Sequence, residues 1–298
     1  MMFFEILDKL KRKKASLIIY CLLDRIPIIV FGDNSDRVDQ FLVELSDLIP
    51  FRREYVFSTD FISIDEYFNL IQNEDIDYNT QRVYIRCPSS VALKALNQFD
   101  NLNFWIISIV APKHKENLNK IKTLIKKKSN AFLSILLSSD TITVKLEGLD
   151  DKQIDLSLEH NILRKISEDT EKSIVKMKRV LSERTKSNKL SNELISSLLD
   201  FETEKNELII NIFKKEIQNF YSGSKRVFFI LSRLKLLTNM EIDTKIGSKT
   251  LFETIDYDEA SINRIISFIN KEWKEDFSDL IESGKKIYIG DKIQSLWG

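Results

Sequence analysis

Short apolar runs alternate with amphipathic segments through the first 150 residues, and this alternation constrains the fold more than any other feature. The runs lie at residues 26–32, 54–58, 82–86, 104–110 and 132–137. The run at 26–32 suits a strand buried on both faces, the other runs are also predicted strands, and the segments between them have apolar residues at helical spacing. The pattern predicts an α/β fold with a doubly wound, mostly parallel sheet. A turn at 138–140 leads to a further strand at 141–146, which we expect to be antiparallel at one edge.

The second half of the chain predicts helices. Residues 156–221 contain no proline or glycine, and apolar residues from Leu194 to Ile212 follow a heptad frame. We therefore expect a helical hairpin with coiled-coil character at 151–222, ending at Ser222-Gly223-Ser224. A third, helical unit at 223–298 includes an apolar helix at 227–237 suited to burial and ends in a small β-hairpin at 285–298. The α/β unit occupies residues 1–150.

The apolar run at 15–23 follows four basic residues, but it is too short for a membrane helix, which needs about 20 residues. It predicts an N-terminal amphipathic helix packed on the core and no membrane partner. The two cysteines, Cys21 and Cys87, exclude a disulfide scaffold and fit a reducing compartment. The expected location is therefore the cytoplasm.

The charge balance bears on the kind of partner. The chain has 45 Lys+Arg and 45 Asp+Glu, and the balance is kept in each half. Proteins dedicated to nucleic acids usually have a basic domain, so the composition weighs against this class. Nucleic-acid binding nevertheless stays open as an alternative, through a C-terminal winged helix or through a basic patch. The patch consists of Lys113, Lys120, Lys126, Lys127 and Lys128.

Ligands of doubly wound sheets bind beyond the carboxyl ends of the strands, where several polar residues of this chain occur. The candidate ligand-binding residues are Gly32, Asp33, Asn34, Ser35, Ser89 and Ser90. A helix N-terminus after Gly32 could bind a phosphate, although Asp33 and Asp36 place negative charge there. The layout is like that of P-loop ATPases, but the motif Gly-x-x-x-x-Gly-Lys-Ser/Thr is absent. A nucleotide-binding alternative therefore implies a degenerate, NTPase-like subunit.

Catalytic and metal chemistry have little support in the sequence. The two histidines, His114 and His160, lack the spacing of metal ligands, and Cys87 is an expected exposed thiol with no histidine predicted beside it. We assign no catalytic residue, no metal and no cofactor. The leading hypothesis is a non-enzymatic interaction or regulatory protein, whose helices bind a protein partner or a second copy of the chain.

Overall fold

A computed structural model gives the fold of this protein. It describes residue 6 and residues 10–76, 81–111, 115–138, 141–186, 201–242, 244–257 and 259–282. The predicted hairpin at 285–298, Lys113, His114 and the heptad residues Leu194 and Leu198 lie outside these described residues.

The N-terminal half contains one six-stranded sheet between helices. Its elements are α1 (Arg12–Leu23), β1 (Ile28–Gly32), α2 (Ser35–Ser46), β2 (Arg53–Val56), α3 (Ile64–Ile76), β3 (Val83–Cys87), α4 (Ala92–Gln98), β4 (Trp105–Val110), α5 (Lys115–Lys128), β5 (Phe132–Leu137) and β6 (Ile142–Glu147). The strand order is β2-β3-β4-β1-β5-β6. All neighbouring pairs are parallel except β5 and β6, which confirms the predicted antiparallel edge strand.

Alternate residues of the strands belong to two hydrophobic cores on opposite faces of the sheet. Ile28 and Val30 of β1 point to the face covered by α1 and α2, whereas Ile29 and Phe31 point to the face covered by α3, α4 and α5. Side chains of a strand alternate between its two faces, so the apolar run of β1 serves both cores. The predicted N-terminal helix is also confirmed, but it is not amphipathic over its apolar run, because α1 is buried continuously from Ala15 to Leu23.

The helical part packs on the α1–α2 side of the sheet. Its elements are α6 (Ser157–Lys186), α7 (Phe201–Asn239), β7 (Ile246–Gly247), α8 (Ser248–Ile255), α9 (Ile262–Trp273), a 3₁₀ turn (Ser278–Leu280) and β8 (Ile281–Glu282). The strands β7 and β8 form a small parallel two-stranded sheet. One hydrophobic core joins the sheet to α6, α7, α8 and α9. The predicted fold class is thus confirmed.

The predicted helix end at Ser222-Gly223-Ser224 is wrong, because α7 continues through these residues to Asn239. A Cβ atom at position 223 would lie 3.0 Å from the Cα atom of Ile255 in α8. Gly223 therefore allows α7 and α8 to approach closely, and it does not interrupt the helix. The predicted boundary between the second and third units falls inside α7.

Two buried ionic clusters hold α9 on the rest of the molecule. Arg264 contacts Asp24 at 2.8 Å and Glu159 at 2.5 Å, which links α9 to α1 and α6. At the other end of α9, Arg52 contacts Glu272 at 2.7 Å. These charged side chains are almost fully buried, so they anchor one face of α9 in the molecule, whereas Asn263 and Lys271 on its other face are exposed.

Among the described residues, no helix combines the length and the apolar composition that a membrane crossing needs.

Candidate functional site

The loop after β1 is short and already uses its own polar groups. Only Asp33 and Asn34 separate β1 from α2. The Asn34 side chain accepts a hydrogen bond from the Arg37 amide at 3.0 Å, so it caps α2 and occupies one of the amides that an anion would need. Asp36 lies in the first turn of α2 and places a carboxylate beside the remaining amides. Asp33, Asn34 and Ser35 are exposed.

Gly32 serves packing in this structure. A Cβ atom there would lie 2.5 Å from Val38 Cγ1 of α2 and 3.3 Å from the Leu137 carbonyl oxygen of β5. The Gly32 carbonyl also accepts a hydrogen bond from the Ala111 amide at 2.6 Å. The glycine therefore brings α2 close to the strands, whereas a phosphate-binding loop would place its glycines around the ligand.

After β1 the chain continues to α2 on one face of the sheet, and after β4 it continues to α5 on the other face. A crevice therefore lies between the ends of β1 and β4, and a cluster of polar side chains around Asp39 spans it. Asp39, on α2, accepts hydrogen bonds from the Ser89 amide and hydroxyl, each at 2.8 Å. The fully buried Ser108 of β4 donates a third, short hydrogen bond to the same carboxylate. Three donors thus satisfy Asp39 and tie α2 to the ends of β3 and β4. The spacing of Asp33, Asp36 and Asp39 indicated a solvated acidic face, and the contact of Asp39 with Ser108 was missed, since only the strand order brings these two residues together.

The other candidate residues at this edge do not converge on one point. Ser89 belongs to the Asp39 cluster, whereas Ser90 is exposed in the turn before α4. The expectation of an exposed Cys87 thiol is wrong, because the side chain is fully buried. Burial, with the nearby Asp39 carboxylate, raises the pKa of the Cys87 thiol well above its usual value, so the thiolate nucleophile is disfavoured.

The described lysines of the predicted basic patch lie on α5. Lys126 pairs with Glu147 at 3.1 Å, and Lys128 pairs with Asp100 at 3.1 Å. Lys120 and Lys127 are exposed. Part of the positive charge of this patch is therefore neutralised within the chain.

A second candidate surface runs along α7. Its exposed residues follow one another at intervals of four and three, which places them on a single helix face. We call this surface the α7 stripe, and it consists of five residues of α7 and of Met240, which directly follows the helix: Ser222, Arg226, Phe229, Arg233, Leu236 and Met240. Leu236 is 63% exposed and Met240 is 70% exposed. Large apolar side chains spaced along one face are typical of a helix that binds another helix.

The sequence contains this stripe, but the region 227–237 was interpreted as a helix suited to burial. Val227, Phe228, Leu231 and Leu234 are indeed buried, whereas Phe229 and Leu236 are exposed on the opposite side of the helix. A groove of about 390 Å³ opens beside the stripe, between α7 and the segment Pro50-Phe51. Its described lining includes Lys225 and Arg226 and no carboxylate.

The described residues contain no group of three or more metal-ligating side chains. Comparison of the chain with models of protein families, with curated proteins and with solved structures finds no match. The polar edge of the sheet and the α7 stripe are therefore the two features of the structure that bear most on function.

Proposed function

We propose that the chain is a non-enzymatic interaction protein, in which the α/β unit is a scaffold and the α7 stripe binds a protein partner. The observation that carries this proposal is the exposure of Phe229 and Leu236 on one face of α7, continued by Met240 directly after the helix, while the opposite face is packed. Burying the part of each side chain that is still exposed would contribute about 1–2 kcal/mol. Anchors of this kind, with flanking arginines, are typical of the centre of a protein interface.

The carboxyl edge of the sheet also supports the proposal, because the polar groups that a small ligand would need there already bind one another. The Asp39 cluster occupies the crevice that a ligand of a doubly wound sheet would use. The helix N-terminus after Gly32 already has a capping side chain and an acidic neighbour. These contacts weigh against the nucleotide-binding alternative. Both cysteines are buried and reduced, which fits the proposed cytoplasmic location.

Site-specific photo-cross-linking tests the proposal. A benzophenone side chain replaces Leu236 of the stripe, and the matched control replaces Val175 of α6, which is equally exposed at 66%. In an extract of the native cell, we expect a discrete protein adduct from position 236 and none from position 175. The adduct should disappear when Arg226→Glu and Arg233→Glu reverse the charge of the stripe. Equal labelling from both positions, or an adduct insensitive to the charge reversal, would contradict the proposal.

A further inference from the structure

A second exposed apolar surface lies on the opposite face of the sheet, at the start of α3. We call it the α3 patch, and it consists of Ile62, Ile64, Asp65 and Phe68. Phe68 is 54% exposed, and Ile64 and Phe68 lie one helical turn apart. Asp65 and Glu66, both exposed, are acidic residues in the first turn of α3, beside these apolar side chains. The patch is therefore apolar with carboxylates at the start of its helix.

The α7 stripe has the complementary character. Arg226 and Arg233 alternate with its apolar residues, and neither arginine pairs with a carboxylate of the described part of the chain. Lys225 lies beside the stripe with its ammonium group 5.9 Å from the centre of the Phe229 ring. The segment of α7 from Lys225 to Asn239 contains no acidic residue.

These charges decide which surfaces can pair. Two α7 stripes brought together would gather four arginines and no carboxylate of the stripe in one contact, and two α3 patches would gather carboxylates and no cation of the patch. Like charges in contact are destabilising, so pairing of identical surfaces is disfavoured. An α3 patch against an α7 stripe combines apolar contact with opposite charges, and both surfaces exist on every copy of the chain.

We infer that the α3 patch of one copy docks on the α7 stripe of the next, so that the partner of the α7 stripe is a second copy of this chain. This inference rests on the proposed function and names the partner. Because α3 and α7 belong to the cores on opposite faces of the sheet, the contact is heterologous. Each added copy leaves one α3 patch and one α7 stripe free at the ends, so assembly continues head to tail until a ring closes or a filament forms.

Two variants that each block one surface test this inference by sedimentation velocity. Leu236→Asp blocks the stripe, and Phe68→Asp blocks the patch. Both side chains are more than half exposed, so the variants should keep the wild-type melting temperature. Val175→Asp, at an equally exposed position on α6, is the matched control.

The wild type and Val175→Asp should form species that grow with concentration, with a Kd in the range of about 1–100 μM expected for a small contact. Each blocked variant alone should remain a monomer, with its association weakened at least tenfold. A mixture of the two should stop at a one-to-one dimer, because the intact patch of one variant meets the intact stripe of the other. Added salt should weaken this dimer, since the charges at its contact are exposed.

Several results would overturn the inference, and they differ from those that would overturn the proposed function. A monomeric wild type at about 200 μM, a blocked variant that still assembles, or a mixture without dimer would each refute head-to-tail pairing. If the cross-link from position 236 then forms with a different protein, the proposed function stands and only the self-pairing fails. If no cross-link forms either, both fail.

Discussion

The substitution Glu272→Ala removes one partner of the buried ion pair that fixes the end of α9. The Glu272 carboxylate lies 2.7 Å from Arg52, and the two side chains are 2% and 1% exposed. Arg52 also donates to the carbonyl oxygens of Leu22 and Leu23, at 2.5 and 2.6 Å, so it caps the carboxyl end of α1. The variant therefore leaves a guanidinium buried against carbonyl dipoles alone.

Loss of one partner from a buried pair costs about 3–5 kcal/mol, because the remaining charge stays desolvated. For a chain of this length the unfolding entropy converts that loss into a fall in melting temperature of about 5–8 °C. The matched control is Glu275→Ala, which removes the partner of Lys235 in a partly exposed pair at 3.3 Å. Ion pairs that water reaches contribute about 0–1 kcal/mol, so the control should unfold within about 2 °C of the wild type.

Thermal and urea unfolding followed by circular dichroism measure both variants. The double variant Arg52→Met/Glu272→Leu should be more stable than the sum of its single variants predicts, by about 2–3 kcal/mol, because no lone charge remains buried. It should stay below the wild type, since the α1 carbonyls lose their donor. A Glu272→Ala variant as stable as Glu275→Ala would refute the reasoning that this pair holds α9 on the sheet.

Four further predictions follow from the contacts of individual residues. Burial raises the pKa of the Glu159 carboxyl to about 7, so wild-type stability should fall relative to Glu159→Gln as pH rises from about 4.5 to 7, in urea titrations at each pH. Ser108→Val should cost about 1–3 kcal/mol of unfolding free energy, because Asp39 loses a buried donor; a neutral effect would show that the cluster does not tie α2 to β4. Gly223→Ala should lower the melting temperature, because its Cβ atom meets α8 at 3.0 Å; a rise would mean that helix propensity outweighs the crowding. Millimolar ATP or GTP with Mg²⁺ should leave the melting temperature unchanged, whereas a clear rise would support a nucleotide site.

The elements of the sheet could be predicted because their signals are local. The strands β1, β4 and β5 are nearly continuous apolar runs, and the helices between the strands have apolar faces, so these elements can be recognised without knowledge of the rest of the chain. The order β2-β3-β4-β1-β5-β6 depends on which distant strands pair, and no local pattern encodes it. The Asp39 cluster could not be predicted for the same reason, since Asp39 and Ser108 are 69 residues apart in sequence.

The two glycines show that the neighbouring sequence alone does not predict the structural role of a glycine. Gly32 resembled the start of a ligand loop and Gly223 resembled a helix end, because glycine is frequent in both settings. In the structure each one admits a neighbouring element at short distance, α2 at Gly32 and α8 at Gly223. A glycine that allows a close approach of two elements can be told from a glycine in a turn only when the element packed against it is known.

The α7 stripe was missed for a different reason. Residues 227–237 are apolar on nearly every side, so composition alone predicts full burial. Burial of one face and exposure of another depends on how many neighbours surround the helix. The intervals between Arg226, Phe229, Arg233 and Leu236 were present in the sequence, and they gain meaning once the opposite face is known to be packed.

Hydroxyl-radical footprinting tests most directly whether a protein covers the α7 stripe. The oxidation rates of Phe229 and Met240 are measured by mass spectrometry in the dilute purified protein and in the intact native cell, with the exposed Val175 as the internal reference. The account predicts that oxidation of Phe229 and Met240 falls severalfold in the cell while that of Val175 stays the same. Equal rates for all three residues in both settings would contradict it.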